Sequence, residues 1–369
     1  MNKTVAVLSS HTPSIFWFRM EMMQEFQKRG WRVYAVGNEP ETKWAEQFQS
    51  KDIIYRQIQV ERNGINPIHD LKTLSSIKSV LREIRPEKIF CFQAKTIIYG
   101  AIAANALGMT EVYPLIAGVG SAFLSDSPRA RLVRAALITE YRYAMRKCPA
   151  VFFQNEDDEQ LFRRYRMIIR QKTVRLHGSG VNLERFQVTP LPEQPAFLCI
   201  SRLIRDKGVM EYLEACRMLK LKYPDVRCML VGPYDSNPSA MKSEELQPYI
   251  DSGVVEYFGE QKDVRPYLEQ ASVFVLPSYR EGTPKTVLEA MACGRVIITT
   301  DAPGCRDTVK DGVNGYLVPV KNAFAVFSAI QRLIDFPETI AKMGKQSRII
   351  AETRFDILSV NNEICQTML

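Results

Sequence analysis

Residues 273–294 read as strand, loop and helix, and no other stretch restricts the possible architecture as much. Val273-Phe274-Val275-Leu276 is a short apolar run, the pattern of a strand buried on both faces of its sheet. Thr283 followed by Pro284 marks a helix start, a hydroxyl N-cap and then a proline at the first helical position. Gly294, after the apolar helical run, suits a left-handed C-cap. Glu281 falls just before this helix and Glu289 in its second turn. N–H groups at a helix start hold anions such as a diphosphate, so the loop Gly282-Thr283-Pro284 is a candidate phosphate cradle. Carboxylates accept hydrogen bonds in pairs, which suits Glu281 and Glu289 to sugar hydroxyls.

The same grammar recurs along the chain. Short apolar strands alternate with helical segments in both halves, as two doubly wound domains require. The apolar strand at 196–200 opens directly into Ser201-Arg202-Leu203-Ile204-Arg205-Asp206-Lys207-Gly208. Arg202 offers a planar fork and Lys207 a point charge, a pair able to clamp a diphosphate. Further strands exit at Gly232 and Gly259, and another at 295–299 leads to Asp301 and Gly304. In the first half, a strand at 4–8 enters the polar loop 9–14, which contains His11, and a helix is expected from about 15 to 29. Strand 112–116 enters Ala117-Gly118-Val119-Gly120-Ser121-Ala122-Phe123, where two glycines permit close approach of a ligand. No Gly-x-Gly-x-x-Gly run follows the first strand, which argues against a dinucleotide site.

Glu281, Glu289, Arg202 and Lys207 together resemble the signature of the family 4 retaining glycosyltransferases, in particular bacterial enzymes that extend undecaprenyl-diphosphate-linked glycans. The resemblance covers most of the chain and implies a GT-B fold, two Rossmann-like doubly wound domains facing across a cleft. It assigns Glu281 to the transferred sugar, Glu289 to the ribose, and Arg202 and Lys207 to the donor diphosphate. The backbone after Gly259 would meet a uracil base. Members that build lipid-linked glycans carry a glycine-rich run like that at Gly118 and Gly120, facing the reacting sugar, and the His11 loop would lie near donor diphosphate and acceptor. His177-Gly178-Ser179-Gly180-Val181-Asn182 resembles the family's domain join, with Ser179 and Asn182 in place of the usual Asn and Asp. The implied domains are 1–179 for the acceptor, 180–350 for the nucleotide sugar, and a terminal helix, 351–369, crossing back to the first. The implied reaction moves a hexose or N-acetylhexosamine from a UDP-sugar. No Asp-x-Asp occurs, so no metal and no separate cofactor are expected.

Charge is distributed unevenly. Residues 1–179 hold 27 Lys+Arg against 17 Asp+Glu, whereas residues 180–369 hold 22 against 24. Such a basic half suits an anionic surface. Nucleic acid is disfavoured because no recognition motif accompanies the charge. A helix expected over 128–148 gathers Arg131, Arg134, Arg142 and Arg146 on one face, with Ile138 and Met145 among them, opposite Leu132, Val133, Ala136, Leu137 and Ala144. Apolar residues within a basic face are the pattern of an interfacial helix on anionic lipid; a solvated face is the plain alternative. The opening residues lack the apolar core of a signal peptide and no run approaches membrane-span length. The expectation is a cytoplasmic protein, peripheral on the inner membrane face. Eight scattered cysteines, none in Cys-x-x-Cys, read as reduced core thiols. Two other classes fit the same motifs: a non-catalytic membrane protein that binds nucleotide sugar, and an epimerase or phosphorylase of the same fold.

Overall fold

The computed structural model describes residues 3–61, 66–120, 123, 127–235 and 239–369. The first unit contains strands β1 (Thr4–Ser9), β2 (Arg32–Gly37), β3 (Ile54–Gln57), β4 (Lys88–Phe92), β5 (Val112–Ile116), β6 (Ala150–Phe153) and β7 (Lys172–Arg175). Between them run helices α1 (Thr12–Lys28), α2 (Glu41–Gln49), α3 (Pro67–Ile84), α4 (Ala94–Ala106), α5 (Pro128–Ala144) and α6 (Glu156–Arg164). Every pairing is parallel and the order is β3-β2-β1-β4-β5-β6-β7. The order reverses between β1 and β4, where consecutive helices pass to opposite faces of the sheet.

That reversal explains why the strands are apolar on both sides. Ile77 and Leu81 of α3, Ile97 and Ala101 of α4, and Ile138 and Tyr141 of α5 cover one face. Ile15, Met22 and Phe26 of α1 and Trp44 and Phe48 of α2 cover the other.

The second unit repeats the plan. Its strands are β8 (Ala196–Ile200), β9 (Arg227–Val231), β10 (Glu256–Tyr257), β11 (Val273–Leu276), β12 (Val296–Thr300) and β13 (Gly315–Val318), in the parallel order β10-β9-β8-β11-β12-β13. Its helices are α7 (Val209–Lys222), α8 (Ser243–Asp251), α9 (Arg265–Glu269), α10 (Lys285–Ala292), α11 (Ala323–Asp335) and α12 (Glu338–Arg354). The last helix, α13 (Ile357–Met368), buries Val360, Ile364, Cys365 and Met368 in the core around α1.

The compact units are Met1–Ser179 with Leu358–Leu369, and Gly180–Ile357. The chain therefore passes between them twice. The two passages run together: Val181 N–H donates to Phe355 O at 2.7 Å, and Ile357 N–H to Val181 O at 3.1 Å. The returning tail starts at Leu358 rather than at 351, because α12 continues to Arg354 and sinks Met343 and Ala351 into the second core. All eight cysteines are buried and unpaired.

Two helix expectations need correction. Helix α10 starts at Lys285, so Pro284 is its N-cap and Thr283 precedes it. Pro284 adopts φ −71° and ψ 111°, and its carbonyl accepts from Val287 N–H at 3.1 Å. Proline's fixed φ suits this cap and no N–H is needed there. The C-terminal end is a Schellman turn, with Gly294 N–H on Met291 O and Arg295 N–H on Ala290 O, each at 3.0 Å.

Helix α5 turns a different stripe inward from the expected one, keeping Ala144 buried and Leu137 against the core. Ile138 and Met145 are buried in the core, whereas Leu132 is 75% exposed and Ala136 is exposed. Ile138, Tyr141 and Ala144 recur at three-residue spacing and form the stripe that meets α4. Ile138 and Met145 are therefore absent from any lipid-facing surface.

Candidate functional site

Loops that follow the strands of a doubly wound sheet collect at one edge, and ligands bind where the strand order reverses. In the second unit the reversal lies between β8 and β11. Arg202 and Lys207 follow β8, and Glu281 follows β11. Residues about eighty positions apart in sequence are thus delivered side by side by the sheet order.

Two glycines join the loops. Gly208, at φ +69°, lies so close to the β11 exit that a Cβ would fall 2.0 Å from Pro277 O. Gly304, at φ +76°, would place a Cβ 2.3 Å from the carbonyl oxygens of both Glu281 and Gly282. Around them, Tyr279 N–H donates to Asp206 O at 2.9 Å, Ser278 Oγ donates to the same carbonyl at 3.1 Å, and Glu281 N–H donates to Pro303 O at 3.0 Å. The β8, β11 and β12 loops therefore form one bonded layer.

On this layer the Lys207 ammonium donates to Glu281 Oε1. Arg202 Nη1 donates to Asp235 Oδ2 at 2.7 Å. Gly232, after β9, donates its N–H to Gly259 O at 2.8 Å, and Tyr257 Oη donates to Gly232 O at 2.9 Å. Gly259, Gly232, the Arg202–Lys207 loop and Glu281 with Gly282 therefore follow one another along the edge in strand order. Thr283 and Pro284 lead from this row into α10.

Glu289 sits on α10 with only 9% of its surface exposed. Burial pushes its carboxyl up to about 7, against the pull of Lys285 and Arg185. Among the described residues, no side chain donates to this carboxylate. Arg185 and Asp263, which act on it electrostatically, line a cavity of about 460 Å³ with Arg265 and Cys293. A mostly covered carboxylate that no side chain bonds is suited to hydroxyl groups brought by a ligand. The sequence reading missed Arg185 and Asp263; neither belongs to a motif, and only the fold sets them near α10.

The first unit has its own edge at the β1–β4 reversal. His11 caps the start of α1, and its Nδ1 lies 2.7 Å from Ser14 Oγ. Helix α1 begins at Thr12, so the second half of the expected 9–14 loop is helical and Ser9 is still in β1. Gly118 and Gly120 follow β5, two strands from β1. Ser121 and Ala122, part of the same expected loop, lie outside the described residues. Between the His11 and Gly118 loops stands the exit of β4, where Gln93 accepts from Ser9 Oγ at 2.8 Å and Ser10 Oγ at 2.7 Å. Sequence reading passed over Gln93, since only strand order reveals its position.

Of the expected basic face, Arg131 and Arg142 on α5 and Arg146 in the turn after it are exposed, and Arg134 is half-buried. Arg142 is a structural brace: its Nε and Nη2 donate to Tyr165 O at 3.0 and 2.7 Å. Among the described residues, no helix is long and apolar enough to cross a membrane.

Comparison with known proteins places these features. Residues 4–155 match the glycosyl transferase 4-like family model, and residues 181–349 match the glycosyl transferases group 1 model. The chain is 29% identical over 358 residues to the N,N'-diacetylbacillosaminyl-diphospho-undecaprenol alpha-1,3-N-acetylgalactosaminyltransferase of Campylobacter jejuni, covering 93% of this chain and 92% of the relative. Among solved structures, sucrose-phosphate synthase from Thermosynechococcus elongatus superposes with a TM-score of 0.80 at 20% identity, covering 99% and 98% of the two chains. Anabaena Alr3699/HepE in complex with UDP gives 0.78 at 16% identity, covering 100% and 99%. Two doubly wound parallel sheets, matched in turn by these two models, show that the chain belongs to the glycosyltransferases of the GT-B fold, with a 4-like first half and a group 1 second half.

Proposed function

We propose that this glycosyltransferase moves a hexose or N-acetylhexosamine from a UDP-sugar to a lipid-diphosphate-linked glycan in polysaccharide assembly, with retention of anomeric configuration. The observation that carries the proposal is the convergence of Arg202, Lys207 and Glu281 at the β8–β11 reversal. The relative from Campylobacter jejuni, whose name specifies an undecaprenol diphosphate acceptor, supports the acceptor class. UDP bound to the HepE neighbour supports the donor class.

Breaking the bond between the sugar C1 and its phosphate oxygen leaves electrons on the diphosphate and positive charge on the sugar ring. Arg202, Lys207 and the start of α10 would stabilise the leaving diphosphate in the role a metal takes elsewhere. Glu281 would hold a hydroxyl of the transferred sugar, and Glu289 the ribose hydroxyls. The acceptor hydroxyl attacks C1 from the face the diphosphate leaves. Its proton passes to the departing phosphate oxygen, so no protein nucleophile is needed.

The first unit would hold the acceptor, using the His11 and Gly118–Gly120 loops. The protein would lie on the inner face of the cell membrane, with Arg131, Arg134 and Arg146 toward anionic lipid. Lipid contact through Ile138 or Met145 is not part of the proposal, since both are core residues. The test incubates the protein with several UDP-sugars and N,N'-diacetylbacillosaminyl-diphospho-undecaprenol as probe acceptor. Mass spectrometry should show the acceptor gaining one sugar; release of free sugar alone, or interconversion of the UDP-sugars, overturns the proposal.

A further inference from the structure

We propose that Gln93 binds the acceptor, its side-chain NH2 donating a hydrogen bond to an acceptor oxygen; this rests on the reading that the first unit holds the acceptor. Gln93 directly follows β4, whose Phe92 pairs with Ser9 of β1, so it stands at the reversal point of the first sheet. Its backbone adopts φ 73° and ψ 139°, a region that side-chain-bearing residues occupy only when their surroundings impose it.

The carboxamide is also held. Ser9 Oγ accepts from His11 N–H at 3.1 Å and donates to Gln93 Oε1 at 2.8 Å, with the His11 carbonyl a more distant acceptor at 3.3 Å. Ser10 Oγ also donates to Gln93 Oε1. With Oε1 engaged by two hydroxyls, the NH2 end must point away from them. Among the described residues nothing accepts from it. An oriented and unmatched donor, flanked by the His11 and Gly118 loops, matches a ligand oxygen and not a cation.

The lock and the donor can be separated. Gln93→Glu retains an oxygen for Ser9 and Ser10 but has no NH2; Gln93→Met retains neither. Both variants should raise the KM for N,N'-diacetylbacillosaminyl-diphospho-undecaprenol about tenfold, the loss expected for one neutral hydrogen bond. UDP affinity by calorimetry and kcat should stay at wild-type level. Equal rises in the two variants assign the oxygen to the glycan. A larger rise in Gln93→Glu that shrinks with salt assigns it to the diphosphate. Wild-type KM in Gln93→Glu would show that Gln93 serves only as the lock, and the proposal falls. If the wild-type protein transfers nothing to this acceptor, the functional reading fails for it, and NMR decides the Gln93 assignment separately. The Gln93 side-chain NH2 signals should then move on titration with N-acetylhexosamine disaccharides or inorganic diphosphate, and their immobility overturns the proposal.

Discussion

The Lys207 ammonium is hydrogen-bonded to the Glu281 carboxylate, joining the β8 and β11 loops at the point where the second sheet reverses. Both side chains are largely covered, at 20% and 12% exposure, so the ion pair is shielded from most of the solvent. A donor diphosphate would take Lys207 over and release Glu281 to the sugar. Lys207→Ala should therefore lower kcat on the order of 10²-fold, the usual cost of removing one electrostatic donor from a developing anion. Glu281→Ala should lower turnover as well but leave UDP affinity unchanged or tighter, because Lys207 is then freed for the phosphates. Calorimetry with UDP, beside steady-state rates, separates the two variants. Loss of UDP binding in Glu281→Ala would show that this residue serves the nucleotide.

Glu289 should make UDP binding depend on pH. Its carboxyl ordinarily titrates at 4.5 and burial pushes it up to about 7. Between those values the folded protein holds a proton that the unfolded chain has lost, so stability falls as pH rises from 4.5 through about 7. Ribose hydroxyls donate to the charged form and favour its ionisation. UDP binding should then expel a proton at pH 6, and affinity should rise with pH and level off above 7. Calorimetry in buffers of different ionisation enthalpy reads the proton directly. Glu289→Gln should bind more weakly, by on the order of 1.5–3 kcal/mol, and should release fewer protons at pH 6 than the wild type, the remainder coming from the terminal phosphate of UDP.

Gly304 has no room for a side chain, since a Cβ would meet the carbonyls of Glu281 and Gly282. Gly304→Ala should destabilise the fold by on the order of 1–3 kcal/mol from its backbone conformation alone, and by more where the Glu281 loop is displaced. Turnover should fall with it. Gly312→Ala is the control: its φ is +72° but no atom lies within 4 Å of its Cβ position. It should lower Tm yet spare the turnover of the folded enzyme.

Cationic side chains at the proposed diphosphate position lead to a prediction about metal. Activity should persist in excess EDTA, with Arg202 and Lys207 carrying the electrostatic work. Activity that disappears with EDTA and returns with Mg²⁺ or Mn²⁺ would overturn the proposed role of this pair.

Much of the chain is legible one-dimensionally because its signals are local. Val273-Phe274-Val275-Leu276 reads as a doubly buried strand, and 276, the last position of that run, is where the strand ends. Short strands before Arg202, Gly232 and Glu281 place these residues in loops, since an apolar run that stops at a glycine or a charge has few other uses. Helix faces are less legible. Helix α5 has apolar residues on both sides, and whether Leu132 or Ile138 turns inward depends on α4, a neighbour the local pattern does not contain.

The sequence by itself determined the strand type of the apolar runs before the site loops and the charged residues and glycines at their exits, because these follow from side-chain chemistry and short-range periodicity. Tertiary structure alone decided which residues meet. Sheet order put Lys207 on Glu281 and Gln93 under Ser9 and Ser10, while the packing of Met343 and Ala351 in the second core moved the crossing of the terminal helix to Leu358. The physical reason is that backbone hydrogen bonding and burial of helices on both faces choose the order of strands. That order, rather than distance along the chain, fixes which loops share an edge, and the carboxyl of Glu289 rises only once the completed core has taken it from water.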